Sequence, residues 1–448
     1  MRVSDYTGHY KAIVRLGIPI MLGQLGIIIV GFADNSMVGH HSGIELAAAS
    51  FVNNFFNLAF IFGMGFSYGL TPIIGGLFAD KRLEKAGETL RNSLFINLLV
   101  GLSLMLCMLA LLLNLDRLGQ PEELRPYIIP YYIIQLFSIP FVMLFNAFKQ
   151  FSDGTTDTLT PMWIMLSANV LNIIGNYILI YGHFGSPELG LTGAGISTLA
   201  SRVFMCLVFV GLFAFHARYR VYWRGFRDGR INRGNLRNLI RLGVPVGLQM
   251  GIESGSFNLS VIMMGWIGSA ALAAHQVIGV ITTLGFMIYY GIAAAVTIRV
   301  SQYKQWNDLL NVRRTTFAGL HIIMAVAVSV MALIWVCRDF MGYLFTTDAE
   351  VVGLVALLSW SAICYQPGDG LQIIFANALR GIADVRYMAW MAFLCHFGLS
   401  LPIGYLCGFV LGWGAIGVWC GFPVGLTVLG LLLGNRFNRL TRAVKLRS

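Results

Sequence analysis

Three acids lie inside long apolar runs of this chain: Asp34, Glu253 and Asp369. A carboxylate in hydrocarbon is costly, so such a group is protonated, bound to an ion or turned toward a wet cavity. Asp34 sits late in its run, in Gly31-Phe-Ala-Asp34-Asn-Ser-Met-Val-Gly39. His40 and His41 follow it, so an acid at the outer interface also fits. Glu253 sits deeper, in Gly251-Ile-Glu253-Ser-Gly-Ser. Asp369 ends Tyr365-Gln-Pro-Gly-Asp369, which puts Tyr365 and Asp369 four residues apart on one helix face. Pro367 between them would splay the turn and free carbonyls for a cation. Asn172 and Asn176 repeat the four-residue spacing. Their amides would line a polar path or hold two helices together. Carboxylates, a phenol and freed carbonyls are hard oxygen ligands, which suit Na⁺ or a proton and not Zn²⁺. The residues do not rank those two ions.

The other polar residues carry less. Arg202, inside an apolar run, reads as a structural base that pairs with an acid or snorkels. His275 and His321 read as satisfied interface residues. The seven cysteines lie in or beside apolar runs without CxxC pairs, and read as small buried hydrophobes. No HExxH, Walker loop or nucleophile elbow occurs, so an enzyme is not expected. With no nucleotide site, transport would have to be ion-driven, with no cofactor beyond the coupling ion.

These residues need elements that cross a bilayer. Of 448 residues 57% are hydrophobic and 11% charged, against about 25% charged in a soluble domain. Mean hydropathy is +0.73. Such a chain cannot cover a soluble fold of this size with polar surface, which excludes a soluble enzyme, a secreted disulfide scaffold, a nucleic-acid binder and a disordered protein. Twelve stretches are long enough to span as helices, with approximate cores at 14–36, 46–74, 91–114, 127–151, 160–181, 190–216, 239–264, 271–299, 315–337, 353–378, 388–410 and 414–436. The net charge of +11 is placed unevenly. Eight arginines fall between His216 and Arg241, and Arg436, Arg439, Arg442, Lys445 and Arg447 follow the last span. Lys81, Arg82, Lys85 and Arg91 follow the second span, while Arg117, Arg125 and Arg338 fall on the other side. Both termini are therefore expected in the cytoplasm, and no cleaved signal peptide is read at the start.

The chain is a doubled half. Arg15-Leu-Gly-Ile-Pro19 returns as Arg241-Leu-Gly-Val-Pro245, and Leu46-Ala-Ala48 as Leu272-Ala-Ala274, both 226 residues on. An offset of 227 pairs Pro140 with Pro367, Asp157 with Asp384 and Trp163 with Trp390. Six spans per half make the repeat parallel, related by an axis along the membrane normal. The expected organisation is a six-helix lobe over 1–215, a basic cytoplasmic linker over 216–241, and a six-helix lobe with a basic tail over 242–448. Pro19, Pro140, Pro245 and Pro367 are hinge candidates, since proline removes a backbone hydrogen bond; static kinks fit them equally.

Taken together, these motifs resemble the multidrug and toxic compound extrusion (MATE) family, in particular its NorM-like branch. The resemblance runs from Arg15 to about Phe437. It rests on Gly31-Phe-Ala-Asp34 with Met37-Val-Gly39, on Leu171-Asn172 with Asn176-Tyr-Ile-Leu-Ile-Tyr181-Gly182, on Ala273-Ala-His275-Gln276, and on Tyr365 and Asp369 followed by Leu379-Arg380-Gly381. It implies an all-α membrane protein of twelve transmembrane helices in two six-helix bundles around a V-shaped cavity. It implies export of cationic amphipathic organic compounds in exchange for Na⁺ or H⁺, with Glu253, Tyr365 and Asp369 as the cation site of the C-terminal lobe. Asp34, Asn172 and Asn176 would be the proton- or substrate-binding site of the N-terminal lobe. Glu253 resembles the branch's glutamate, which points to Na⁺ held at Glu253 and Asp369. The small, polar surroundings Gly251, Ser254, Gly255 and Ser256 depart from the pattern and bear on the cavity's shape. The expected setting is a bacterial inner membrane, with the lipid bilayer and small organic cations as partners, no nucleic acid, and a monomer. A lipid-linked oligosaccharide flippase of the same superfamily is the alternative. It would want several cations to hold a diphosphate, and Arg202 is the main deep one.

Overall fold

The computed structural model describes residues 6–115 and 122–442, so Arg117, Lys445 and Arg447 of the charge argument lie outside the described residues. Among the described residues every regular element is helical. The helices are α1 (Thr7–His41), α2 (Gly43–Ser67), α3 (Leu70–Ala79), α4 (Leu83–Leu112), α5 (Arg125–Gly154), α6 (Leu159–Tyr181), α7 (Gly190–Phe215) and α8 (Arg220–Asp228). The second half holds α9 (Arg233–Ile267), α10 (Ser269–Gln305), α11 (Leu309–Met341), α12 (Ala349–Gly381), α13 (Val385–Cys395), α14 (Leu401–Tyr405) and α15 (Gly414–Arg442).

Among the described residues eleven crossings are long and apolar enough to span, counting α2 with α3 as one and α13 with α14 as one. The twelfth is α9, whose membrane stretch is diluted by Gln249, Glu253, Ser254, Ser256, Asn258 and Ser260. The polarity that sets it apart is the polarity that carries Glu253. The protein is thus an all-α membrane protein with twelve spans in two bundles.

Two compact units divide the chain: Leu22–Gly247, and Met1–Met21 with Leu248–Ser448. The boundaries fall inside α1 and α9. The start of α1 therefore packs with the later half, where Tyr10 bonds His321 at 2.9 Å and His9 bonds Thr315 at 3.0 Å. The repeat is visible at its paired acids. Asp157 precedes α6 and pairs with Arg218 at 3.2 Å, and Asp384 precedes α13 and pairs with Arg436 at 2.7 Å.

Span eleven is not plain α-helix. His396–Ser400 and Leu406–Val410 are π-helical turns on either side of α14. Pro402 has no N–H for the ladder there. Opposite lies a glycine face on α15. A Cβ on Gly417 would collide with the Cys407–Gly408 backbone, and one on Gly421 with the Ser400 carbonyl. Small residues every fourth position let the two backbones touch.

The stretch after span six is a seated helix. Tyr219, Tyr222, Trp223 and Phe226 pack into the core of the unit Leu22–Gly247, while Arg220, Arg224 and Arg227 stay on the outer side of α8. Burial raises the Tyr219 phenol above its ordinary value, so it remains a donor, to Asp157 at 2.8 Å. Arg91 donates to the carbonyls of Arg227 (2.9 Å) and Gly229 (2.7 Å), a cation capping the end of α8. Gly225 lets α8 rest on α4, since a Cβ there would collide with the Glu84 carbonyl. Gly225→Val is expected to lift α8 and cost about 1–3 kcal/mol. The check is a lower melting temperature in detergent with new trypsin cleavage at Arg227 or Arg230; an unchanged digest would show that α8 is not held this way.

Candidate functional site

In the unit that contains α12, Asp369 is fully buried and Tyr365 is 5% exposed. The Tyr365 phenol sits beside the Asp369 carboxyl, one turn away. Neither Asp369 oxygen has a hydrogen bond of good geometry. Glu253, on α9, is close enough for its charge to act on both. Its Oε2 accepts from Gln249 Nε2 at 2.8 Å and from Gln372 Nε2 at 3.1 Å. The Oε1 atoms of both glutamines are buried without donors. Nearby, Tyr289 donates to Gln366 Oε1 at 2.7 Å. Arg380, further along α12, acts electrostatically on Glu253. The cluster holds two carboxyls and two glutamine amides, with the Asp369 oxygens and both glutamine oxygens left without donors. Two carboxylates of like charge sealed in one cluster repel each other unless a cation enters.

In the other unit the polar residues form a chain. Asn176 Nδ2 donates to Asp34 Oδ1, and also lies 3.3 Å from Asn172 Oδ1. Asn172 donates to Thr198 Oγ1 at 3.2 Å, and Ser197 donates to the Asn172 carbonyl at 2.8 Å. Asn172 and Asn176 are buried, at 2% and 0% exposure, and these bonds satisfy their amides except for Asn176 Oδ1, which has no partner. Beside this chain, Arg202 donates to Gln135 Oε1 at 2.7 Å and to Ser138 Oγ, and stacks over Phe60.

The structure thus brings together Glu253, Tyr365 and Asp369, and separately Asp34, Asn172 and Asn176. It does not mark the four prolines as breaks: helix continues through Pro19, Pro140, Pro245 and Pro367. His275 accepts from the Trp419 indole at 3.0 Å, a satisfied core contact. Sequence reasoning passed over the glutamine partners of Glu253. Gln249 lies four residues before Glu253, and Gln372 three after Asp369, so helical spacing could have found both. Thr198 likewise lies four before Arg202. Among the described residues no three His, Cys, Asp or Glu side chains converge as metal donors.

A family model described as MatE matches residues 19–178 and again 245–406, starts that reproduce the spacing of the internal repeat. The relatives include a protein of Bradyrhizobium diazoefficiens named "Probable multidrug resistance protein NorM", 31% identical over 96% of this chain and 93% of that one. "Multidrug resistance protein NorM" of Photobacterium profundum is 28% identical over 97% of this chain and 96% of its own. Among solved structures, one titled "Crystal structure of MATE in the straight conformation" superposes with a TM-score of 0.88 at 22% identity, covering 98% of this chain and 97% of that one. A structure of the eukaryotic MATE transporter AtDTX14 gives 0.87 at 18% identity, covering 99% of each. At those identities the likeness shows the fold.

Proposed function

This chain belongs to the MatE family, whose members are transporters and not enzymes, and on that footing we propose that it exports cationic amphipathic organic compounds in exchange for Na⁺ or H⁺. The observation that carries the ion-coupled part is the oxygen cluster at Glu253 and Asp369. Of the two acids, Glu253 feels the fixed cation Arg380 and Asp369 does not, which leaves negative charge at Asp369 to be matched. One monovalent cation or one proton matches it. The donorless Gln249 and Gln372 oxygens exceed what a proton needs and suit a metal ion of hard character, so Na⁺ is the ion we assign. Asp34 with Asn172 and Asn176 is the proton- or substrate-binding site in this reading. The six-helix lobes, the hinges at the paired prolines, a monomer, cytoplasmic termini and a bacterial inner membrane belong to the same proposal.

In the exchange, an outward-facing carrier takes the ion at the acids. Neutralised carboxylates hold a cationic compound less well, and it leaves to the outside. The emptied carrier turns inward, releases the ion and rebinds the compound. Coupling requires that ion and compound have opposed affinities for the two states. The test is efflux of a fluorescent organic cation from proteoliposomes under an imposed Na⁺ gradient and, separately, a pH gradient. Na⁺-driven efflux is expected. Efflux under pH alone would move the coupling to protons, and none under either would point to lipid-linked substrates.

A further inference from the structure

The helix α8 and the turn that joins α3 to α4 carry cations that the exchange above does not use. Between them lies a cavity of about 680 Å³. Lys81, Arg82, Lys85 and Arg224 line it, together with Glu84, Glu88 and Asp228. Each of these acids is already engaged. Glu84 pairs with Arg224 at 3.6 Å, Glu88 accepts from Asn235 at 3.3 Å, and Asp228 pairs with Arg227 at 2.8 Å. Among the described residues, Lys81, Arg82, Lys85 and Arg220 have no ion-pair partner, and all four are exposed. The cavity and its rim therefore keep a surplus of positive charge.

The seat of α8 does not use that charge up. Asn92 donates to the Arg230 carbonyl at 3.1 Å and accepts from the Asn232 amide at 2.8 Å. With Arg91 on the carbonyls of Arg227 and Gly229, α4 grips the end of α8 by its main chain. The guanidinium heads on the outer side are left for other contacts.

Their depth decides what they meet. Three crossings end at this place. α3 stops at Ala79, two residues before Lys81; α4 starts at Leu83; α7 stops at Phe215, three residues before Arg218. Phe215 is 91% exposed, and Val221 on α8 itself is 50% exposed. Apolar side chains left so open at the end of a span mark the edge of the hydrocarbon, so the cations beside them stand at headgroup height. Residue type points the same way. Lysine and arginine set membrane topology equally well. Yet 216–241 holds eight arginines and no lysine, with Asp228 as its one acid. A guanidinium fork takes a phosphate through two parallel bonds, which an ammonium does not.

We propose that α8 and the α3–α4 turn form a docking surface for the phosphate headgroups of anionic phospholipids, with one headgroup in the cavity between them. Charge complementarity and headgroup depth select this partner over a soluble anion. The surface lies wholly within the unit Leu22–Gly247 and does not depend on which compound is transported.

Native mass spectrometry of the full chain in detergent counts bound lipid directly. Phosphatidylglycerol is titrated against phosphatidylcholine with the same acyl chains. Wild type is expected to prefer phosphatidylglycerol. Lys81→Gln with Arg82→Gln and Lys85→Gln should cut that preference about 100-fold, at about fivefold per basic residue near an anionic surface. Arg220→Gln alone should cut it about fivefold. Arg386→Gln with Arg439→Gln and Arg442→Gln removes the same charge from the other unit and should leave most of it. A ratio of two lipids on one preparation is insensitive to the fraction of protein that folds. Excess inorganic phosphate should not displace the lipid, because acyl chains hold the headgroup at the surface. Equal binding of the two lipids, a ratio unchanged in the Lys81 triple variant, or an equal fall in the Arg439 control would overturn the inference. Displacement by inorganic phosphate, or tighter binding of a short single-stranded RNA, would overturn it too, by assigning the surface to a soluble anion.

Discussion

Asp369→Asn is expected to reduce ion-driven efflux by at least about 100-fold, and Glu253→Gln to do nearly the same. Removing one charged partner from a buried set costs about 3–5 kcal/mol, and each 1.4 kcal/mol is about tenfold. The two carboxyls act on one another within a single buried cluster, so their losses should not add: the double variant should be little worse than either single. Stability should move the other way. Without an ion, Asp369 is a fully buried acid with neither oxygen well bonded, close to a second acid. Replacing its carboxyl by an amide removes a charge from that cluster, so the Asp369→Asn protein should melt at the same temperature or higher. Transport and melting are measured on the same purified protein. Efflux retained in both single variants would remove the cluster from the coupling; a large fall in melting temperature would mean that Asp369 is a packing residue.

Much of the architecture was legible because hydropathy and helix length are strongly tied in a membrane. The span read over 160–181 is helix from Leu159 to Tyr181, and the one read over 190–216 is helix from Gly190 to Phe215. What composition does not encode was missed. The split between α2 and α3 at Tyr68 and Gly69 and the π turns around Pro402 are departures of a few residues inside continuous apolar runs. The seating of α8 depends on Gly225 meeting the Glu84 carbonyl, a contact 141 positions apart in the chain. At the candidate sites, residue type drew attention to the acids, while the glutamines that surround Glu253 escaped it. An amide in a span is less costly than a charge, so it stands out less, yet it is what orients the acid. Arg202 was read as a structural base that pairs with an acid or snorkels, and only the fold shows that its bonds go to the neutral Gln135 and Ser138.

Lys149 and Asp153 were passed over for a different reason: the fourth run was read as ending at 151, between the two, while α5 continues to Gly154. They form an ion pair at 2.8 Å with side chains 7% and 5% exposed. Lys149→Met is expected to cost about 3–5 kcal/mol, because it strands the Asp153 charge in the core. Asp153→Leu should cost a similar amount by stranding the ammonium. The double variant Lys149→Met with Asp153→Leu should fall within about 1 kcal/mol of wild type, since both desolvated charges are gone and their volume is kept. A double-mutant cycle on melting in detergent reads this directly, with a coupling close to the sum of the two single losses. Equal, additive losses would show that the pair contributes through packing. The efflux of the double variant carries the functional question. If the pair only closes the end of α5, a well-folded double variant keeps transport. If that variant is stable but silent, the ammonium and carboxylate take part in the cycle, and charge movement in this unit reaches beyond Asp34.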